Sequence, residues 1–279
     1  MQPTFSDTFG GALGAGLFGN GGFTQSVALG NPFLVPERKK EFEIGTDLRF
    51  MDDRISMSFT YFDNITEGAL YIRGIPNTTG FDRTLDNFAD IENNGIEIDL
   101  GYTVYDNNDL RIQTNILYSR IRNKVTDLKG AEGQSVGGLS AVSNYIVEGE
   151  PFGVLFGSRT ERDDSGNILF DLNGFPLQAE TPGVIGDPNP DWTGSFITNI
   201  TYKDFGLSLL FETFQGADIF AGTKSALYDF GTWGASATES VSDQNLLDFN
   251  GAVVPAGTTF RGVVENFGAG PVAFTESWY

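Results

Sequence analysis

The chain has 279 residues, 36 of them glycine and 25 phenylalanine, with no cysteine and no histidine. Its 17 basic and 37 acidic residues leave a net charge of −20, which argues against a nucleic-acid partner, because phosphate contacts need Lys and Arg. Without cysteine there are no disulfides, no thiolate catalysis and none of the usual zinc sites; without histidine the commonest general base and metal ligand is gone.

Residues 1–36 are rich in Gly and Phe, with Asn and Pro, and read as an exposed loop leading into the first strand. The start, MQPTFSDTFGGALGAGLFGNGG, has no basic region and is broken by glycines, so it does not read as a signal peptide. Met1 in front of such a start suggests an artificial beginning or a truncated reading frame. No apolar run reaches the roughly 18 residues of a transmembrane helix.

From Lys40 the pattern changes to strict alternation, KEFEIGTDLRF, then MDD, then RISMSFTYF. Phe42, Ile44, Leu48 and Phe50 fall on one face and Glu41, Glu43, Asp47 and Arg49 on the other, since successive strand side chains point to opposite faces. Ile55, Met57, Phe59 and Tyr61 continue the apolar face against Ser56, Ser58 and Thr60. Residues 67–90 read as a long connection, with Gly74, Pro76 and NTTG as turn signals.

A second hairpin follows from Asn94, NGIEIDLGYTV, YDNND, LRIQTNILYS, with Ile96, Ile98, Leu100, Tyr102 and Val104 opposing Glu97, Asp99 and Thr103. Residues 124–191 form a longer connection with room for small hairpins of its own. The third hairpin runs WTGSFITNITY, KDFG, LSLLFETF from Trp192. Residues 215–279 show little alternation and read as loop, with a short helix at Lys224–Tyr228.

Alternation alone fits a soluble sandwich as well as a membrane barrel. Strands near the bilayer-crossing length of about 9–11 residues, short turns on one side with long loops on the other, and aromatics near strand ends favour the barrel. Tyr61, Phe62, Tyr102, Tyr105, Trp192 and Tyr202 are those aromatics. The fold class is therefore all-β, an antiparallel up-and-down transmembrane β-barrel. Six clear strands, with one or two more in the tail, fall short of the eight of the smallest closed membrane barrels, and an open edge in lipid leaves backbone groups unsatisfied. These residues read as part of a larger barrel.

Four segments carry a family resemblance. NPFLVPERKKEFEIGTDLRFMDDRISMSFTYFDN resembles the stretch of SusC/RagA-type TonB-dependent transporters where an L-x-P-E … E-x-G lead-in precedes a strand, a short turn and an aromatic strand. NNGIEIDLGY resembles the N-x-G-x-E strand start, and VEGEPFGVLFG the G-x-P-x-G-x-x-x-G loop of that family. VIGDPNPDWTGSFITNITYKDFGLSLLFETFQGADIF resembles its G-x-x-x-P-x-x-x-G … Y-K-x-F-x-L … G-x-D hairpin and is the most specific match. They occur in the family's order over most of residues 31–220.

The resemblance implies that residues 1–279 are a partial TonB-dependent receptor barrel domain: lead-in at 1–36, three hairpins with long extracellular loops over 40–214, and a long loop with a truncated end over 215–279. The whole barrel would hold about 22 strands around a plugged lumen, with signal peptide and plug absent from this chain. FTESWY resembles an approach to a further strand cut short, in preference to Tyr279 as a true C-terminal aromatic. The implied activity is import of oligosaccharides or glycans, with peptides for some members, across the outer membrane. The implied partners are the TonB complex, acting through the absent plug region, a SusD-like surface lipoprotein and the oligosaccharide substrate. No cofactor is implied.

No catalytic constellation emerges, so the chain does not read as an enzyme. Glu41, Glu43, Asp47, Glu97 and Asp99 could suggest acid–base pairs, yet their spacing puts them on a lumen face, solvated or paired with Arg49, Arg54 and Arg111. Arg162–Asn167 and Gly186–Asp191 collect oxygen ligands without the EF-hand spacing and read as turns, so no metal is expected. Loop aromatics suit either sugar stacking and lid contacts or the packing of the loops themselves. Trp233 and Tyr228 lead as ligand contacts because the flanking YDFGTWG reads as exposed, with Phe230 and Tyr145 beside them. The rivals are a plugless porin or adhesin-like barrel, and a secreted soluble β-sandwich that binds glycan.

Overall fold

A computed structural model describes residues 5–7, 23–25, 27–139 and 142–275. Most of the expected lead-in over 1–36, and the reading of FTESWY and Tyr279 as a truncated end, lie outside the described residues. The chain divides into two compact units: residues 1–138, 143–154 and 187–218, and residues 139–142, 155–186 and 219–279.

The first unit begins with β1 (Phe5–Asp7) paired to β2 (Phe23–Gln25), then β3 (Ala28–Leu29). Its main elements are β4 (Arg38–Phe50), β5 (Ile55–Gly74), β6 (Arg83–Asp106) and β7 (Leu110–Asp127). The short β8 (Gln134–Leu139) and β9 (Val142–Ile146) come next. After β10 (Val154–Gly157) and β11 (Gly183–Gly186), β12 (Trp192–Tyr202) and β13 (Phe205–Gln215) return to the same sheet. The sheet order is β13-β12-β7-β6-β5-β4, with β3 pairing parallel to β6 at one end. Apart from the passage through β8–β11 between β7 and β12, and the parallel β3, this is an antiparallel meander.

The three expected turns are tight, for different local reasons. Met51, Asp52 and Asp53 all take positive φ, a left-handed conformation unusual for residues with a Cβ. In the second, the Asn107 side chain accepts the N–H groups of Asp109 (2.9 Å) and Leu110 (2.7 Å), an Asx-type turn. In the third, β13 starts at Phe205, so the expected KDFG turn shrinks to Lys203 and Asp204.

The long connection expected over 67–90 is mostly strand. β5 and β6 stay paired out to Gly74 and Arg83, and only residues 75–82 turn the corner, around a 3-10 helix at Asn77–Thr79. Two register shifts between Thr66 and Leu70 hid this extension, because a bulge breaks the period of two. Gly68, at φ 64°, sits in the bulge, and its N–H donates to Asp90 (2.7 Å).

Above the hairpins, on the long-loop side, Ala69, Phe88, Ala89, Ile91, Val125, Leu128 and Ile146 form a small apolar core, with Tyr71 and Phe152 against it. The Leu128 N–H donates to Glu148 (3.1 Å), and the Phe152 N–H to the Asn123 side chain (2.5 Å). The first unit thus buries its core outside the region of strict alternation.

The second unit is built from short pieces. β10 pairs with β11, and between them isolated bridges at Thr160–Gln178, Arg162–Ile168 and Phe170–Pro176 make a folded-back ladder. Then come α1 (Gly222–Asp229), α2 (Gly234–Ala237), β14 (Glu239–Val241), β15 (Leu246–Leu247), β16 (Val253–Val254), β17 (Thr259–Arg261), β18 (Val263–Asn266) and β19 (Pro271–Phe274). β14 pairs with β17, β15 with β16 and β18 with β19. α1 covers the helix expected at Lys224–Tyr228; the small hairpins after it replace an expected loop.

One local design recurs three times here, as D-x-S/N-G. The backbone N–H groups of Gly166, Gly174 and Gly251 donate to the carbonyls of Asp163, Asp171 and Asp248. Each glycine has positive φ, and each aspartate carboxylate accepts a further backbone N–H, from Asn167, Phe175 and Ala252 respectively. The Asp163 carboxyl is held below the ordinary range by hydrogen bonds from the Asn167 side chain and backbone, and from the Ser165 and Gly166 backbone. The expected turn at Arg162–Asn167 is one of these.

Candidate functional site

The candidate surfaces are the paired faces of the large sheet and an aromatic cluster in the second unit.

The register joins the apolar alternations of separate strands into one belt. Phe50, Ile55, Tyr102, Thr114, Thr198 and Leu209 lie on one cross-strand row, and Leu48, Met57, Leu100, Ile116, Phe196 and Phe211 on the next but one. Toward the short turns the belt continues through Ile200–Leu207 and Tyr202–Phe205, past the end of the first hairpin. That stagger is what strand tilt produces in a barrel. The belt is open: Phe42 is 61% exposed, Phe211 63% and Phe205 77%. A sandwich would bury such a face against a second sheet.

Aromatic residues bound the belt. Trp192 and Tyr202 stand on one face at the two ends of the 11-residue β12. They are about 34 Å apart along the strand and about 24 Å along the normal at a 45° tilt, close to the apolar band of about 25 Å in outer-membrane barrels. The Trp192 ring stacks on Tyr118 (5.8 Å, 29°) and passes over Gly194, where an added Cβ would lie 3.1 Å from Cζ3.

The opposite face is hydroxylic and acidic. Ser58, Thr60, Glu97, Asp99, Ser119, Thr193 and Ser195 line a shallow recess of about 410 Å³. Ser58 donates to Asp47 (2.5 Å), and Asn115 to Asp99 (3.4 Å). The expected arginine partners of this face are engaged elsewhere. Arg49 pairs with Asp53 (3.7 Å) and Arg111 with Asp106 (3.6 Å), while Arg54 donates to the carbonyls of Thr103 and Val104. All three sit at the turn edge, within reach of turn groups.

In the second unit Tyr228, on α1, and Trp233 lie against each other (6.0 Å, 32°), and Tyr228 meets Phe274 edge-on (5.8 Å). The contacts continue through Phe267 to Phe175 and Phe249. Lys224 lies one helical turn before Tyr228, with its ammonium 5.8 Å from the Tyr228 ring and 5.5 Å from that of Trp233. Lys224, Ser225, Tyr228, Asp229, Glu265, Phe267 and Phe274 line a recess of about 420 Å³.

The structure thus brings two of the four expected contact residues together. Tyr228 and Trp233 are themselves half-buried, Tyr228 between Trp233 and Phe274, while the flanking Asp229, Phe230 and Thr232 are exposed. Phe230, just past α1, is 80% exposed. Tyr145 is half-buried in β9 of the first unit, where its carbonyl accepts the Gly153 N–H (3.0 Å). Sequence reasoning missed Lys224, Phe267 and Phe274. The i,i+4 spacing of Lys224 and Tyr228 was available once a helix was placed there; the phenylalanines come from a hairpin that no alternation announced. Among the described residues no group of three or more acidic side chains is arranged to hold a metal ion.

A tilted antiparallel meander with an open apolar belt, aromatic borders and a polar inner face is a section of transmembrane β-barrel wall. The family model described as "TonB dependent receptor-like, beta-barrel" matches residues 1–267, and the chain belongs to that family. It is 26% identical over 232 residues to TonB-dependent receptor P3 of Formosa agariphila, covering 75% of this chain and 23% of that protein. It is 25% identical over 211 residues to TonB-dependent receptor P26 of the same organism, covering 68% of this chain and 21% of that protein. The chain therefore spans about a quarter of the length of these relatives. Solved structures of the RagAB peptide transporter, and of the RagAB peptide importer in its closed-closed state, share the fold, with TM-scores of 0.58 and 0.57. Each is 19% identical and covers 77% of this chain and 24% of the solved chain. The SusC/RagA-type motifs are thus those of a family member.

Proposed function

We propose that this chain is wall and loop structure of an outer-membrane active transporter of the SusC type. In this reading residues 1–279 belong to one receptor barrel domain of about 22 strands. The observation that carries it is the two-faced sheet: one side presents a mainly apolar belt bounded by aromatics, the other hydroxyls and carboxylates. Lipid can cover the first, and a hydrated lumen with its plug the second. The role is transport rather than catalysis.

The cargo is an oligosaccharide or glycan, with peptide as the second class, since the RagAB neighbours are described as peptide importers. Tyr228 and Trp233, flanked by Phe230, form the platform on which a sugar ring stacks, with Lys224, whose ammonium lies over both rings, and Asp229 offering hydrogen bonds. Tyr145, on β9, is a separate candidate contact for cargo. A SusD-like surface lipoprotein closes the outer mouth, and the TonB complex supplies energy through a plug.

Alanine at Tyr228 or Trp233 in the full-length transporter tests the platform. Removing one stacked aromatic should weaken binding of a transported oligosaccharide by about 1–2 kcal/mol, roughly five- to thirtyfold, in calorimetry on the detergent-solubilised protein. Unchanged affinity for both glycan and peptide cargo would refute the assignment.

A further inference from the structure

On β7, directly above the apolar belt, the outward positions are taken by cations. Arg120, Arg122 and Lys124 alternate along one face, the face of Ile112, Ile116 and Tyr118, and all three are exposed. Their cross-strand neighbours on β6 are Ile96, Asn94 and Glu92. Arg122 is held by Asp191 (2.6 Å) and Lys124 faces Glu92 across the ladder. Arg120 has no carboxylate within ion-pair distance among the described residues. In a chain of net charge −20, three cations in a line at this height form a local departure from the acidic background.

Beneath Arg120 the outward face is hollowed. Gly194, having no Cβ, lets the Trp192 ring pass over it, and beside that ring Ile116, Tyr118, Phe196, Phe211 and Thr213 wall a groove of about 310 Å³. Its surface is almost wholly apolar, and the Trp192–Tyr118 stack forms its upper rim. An apolar groove running down the wall from a cation suits an amphiphile with a charged head and a long tail.

We propose that this part of the wall is a binding site for a phosphate-bearing membrane lipid. One acyl chain lies in the Gly194 groove, and the phosphate is held by Arg120 with support from Arg122 and Lys124. The site rests on the membrane reading above. Arginine suits it, because its fork of donors matches phosphate oxygens in two places at once, and its stem can run along the apolar rim while the head stays at the polar boundary.

The test uses the full-length transporter in detergent, with Trp192 as reporter. Phosphatidic acid and phosphatidylcholine, each brominated on the acyl chain, are titrated separately, and quenching that disappears in Trp192→Phe is scored. Phosphatidic acid should quench at a concentration about fivefold lower than phosphatidylcholine. Arg120→Gln should abolish most of that preference, whereas Arg120→Lys should retain part of it. Equal quenching by the two lipids, or an undiminished preference in Arg120→Gln, overturns the proposal while leaving the membrane reading intact. Millimolar inorganic phosphate that erases the preference would mean a bare anion site and would also overturn it. No Trp192 quenching by either lipid would likewise overturn the site.

Discussion

Lys129 ties the end of β7 to its neighbour with two carboxylates. Its ammonium bonds Asp127 at 2.8 Å and also Asp90, and its backbone N–H bonds Asp127 at 2.6 Å. These contacts hold the Asp127 carboxyl below the ordinary range, the Lys129 side-chain bond first, and raise Lys129 above its own, through Asp127 and then Asp90. A depressed carboxylate contributes stability above its unfolded value of about 3.9, lost as pH falls through the lower folded value. A raised lysine contributes below about 10.4, lost as pH rises through the higher folded value. The tie is therefore whole from about pH 4 to pH 10. Hydrogen exchange at residues 127–131, corrected for the intrinsic rate, should be flat across that window and accelerate below it. Lys129→Gln should remove the acid-side change; a profile that this substitution leaves unaltered would contradict the assignment.

At the scale of the element, period-two alternation fixed the six long strands, because each needs one apolar and one hydrated face. It did not show where β5 and β6 end, since the bulge around Gly68 moves the pattern to the other face. Nor did it show the second unit's hairpins, whose strands of two to four residues are too short to display a period. The aromatic cluster was half legible for the same reason: Tyr228 and Trp233 sit in one local segment, whereas Phe267 arrives from the turn after β18 and Phe274 from β19. The two faces of the sheet also differ in what they tolerate. Leu100 lies mid-belt, outward, between Met57 and Ile116; Ser195 is inward, opposite Glu212. Leu100→Arg should cost about 2–4 kcal/mol, as for arginine near the bilayer midplane, while Ser195→Arg should stay within about 0.5 kcal/mol. Denaturant unfolding of the protein reconstituted in lipid reads both; equal costs would remove the distinction between the faces.

For the molecule as a whole, everything above depends on which solvent each face meets. These 279 residues hold no cysteine, so single cysteines introduced along β13 of the full-length transporter, with any cysteine elsewhere in it replaced by serine, can be spin-labelled without background. Leu207, Leu209 and Phe211 point outward, and Ser208, Leu210 and Glu212 inward. In liposomes, labels at the outward positions should be relaxed by oxygen, which concentrates in the bilayer, and labels at the inward positions by a water-soluble nickel chelate. The account predicts this alternation at every step from residue 207 to 212. Outward labels shielded from both reagents, or all six positions equally open to the nickel chelate, would mean a sheet packed or dissolved in water, and would contradict the transmembrane wall.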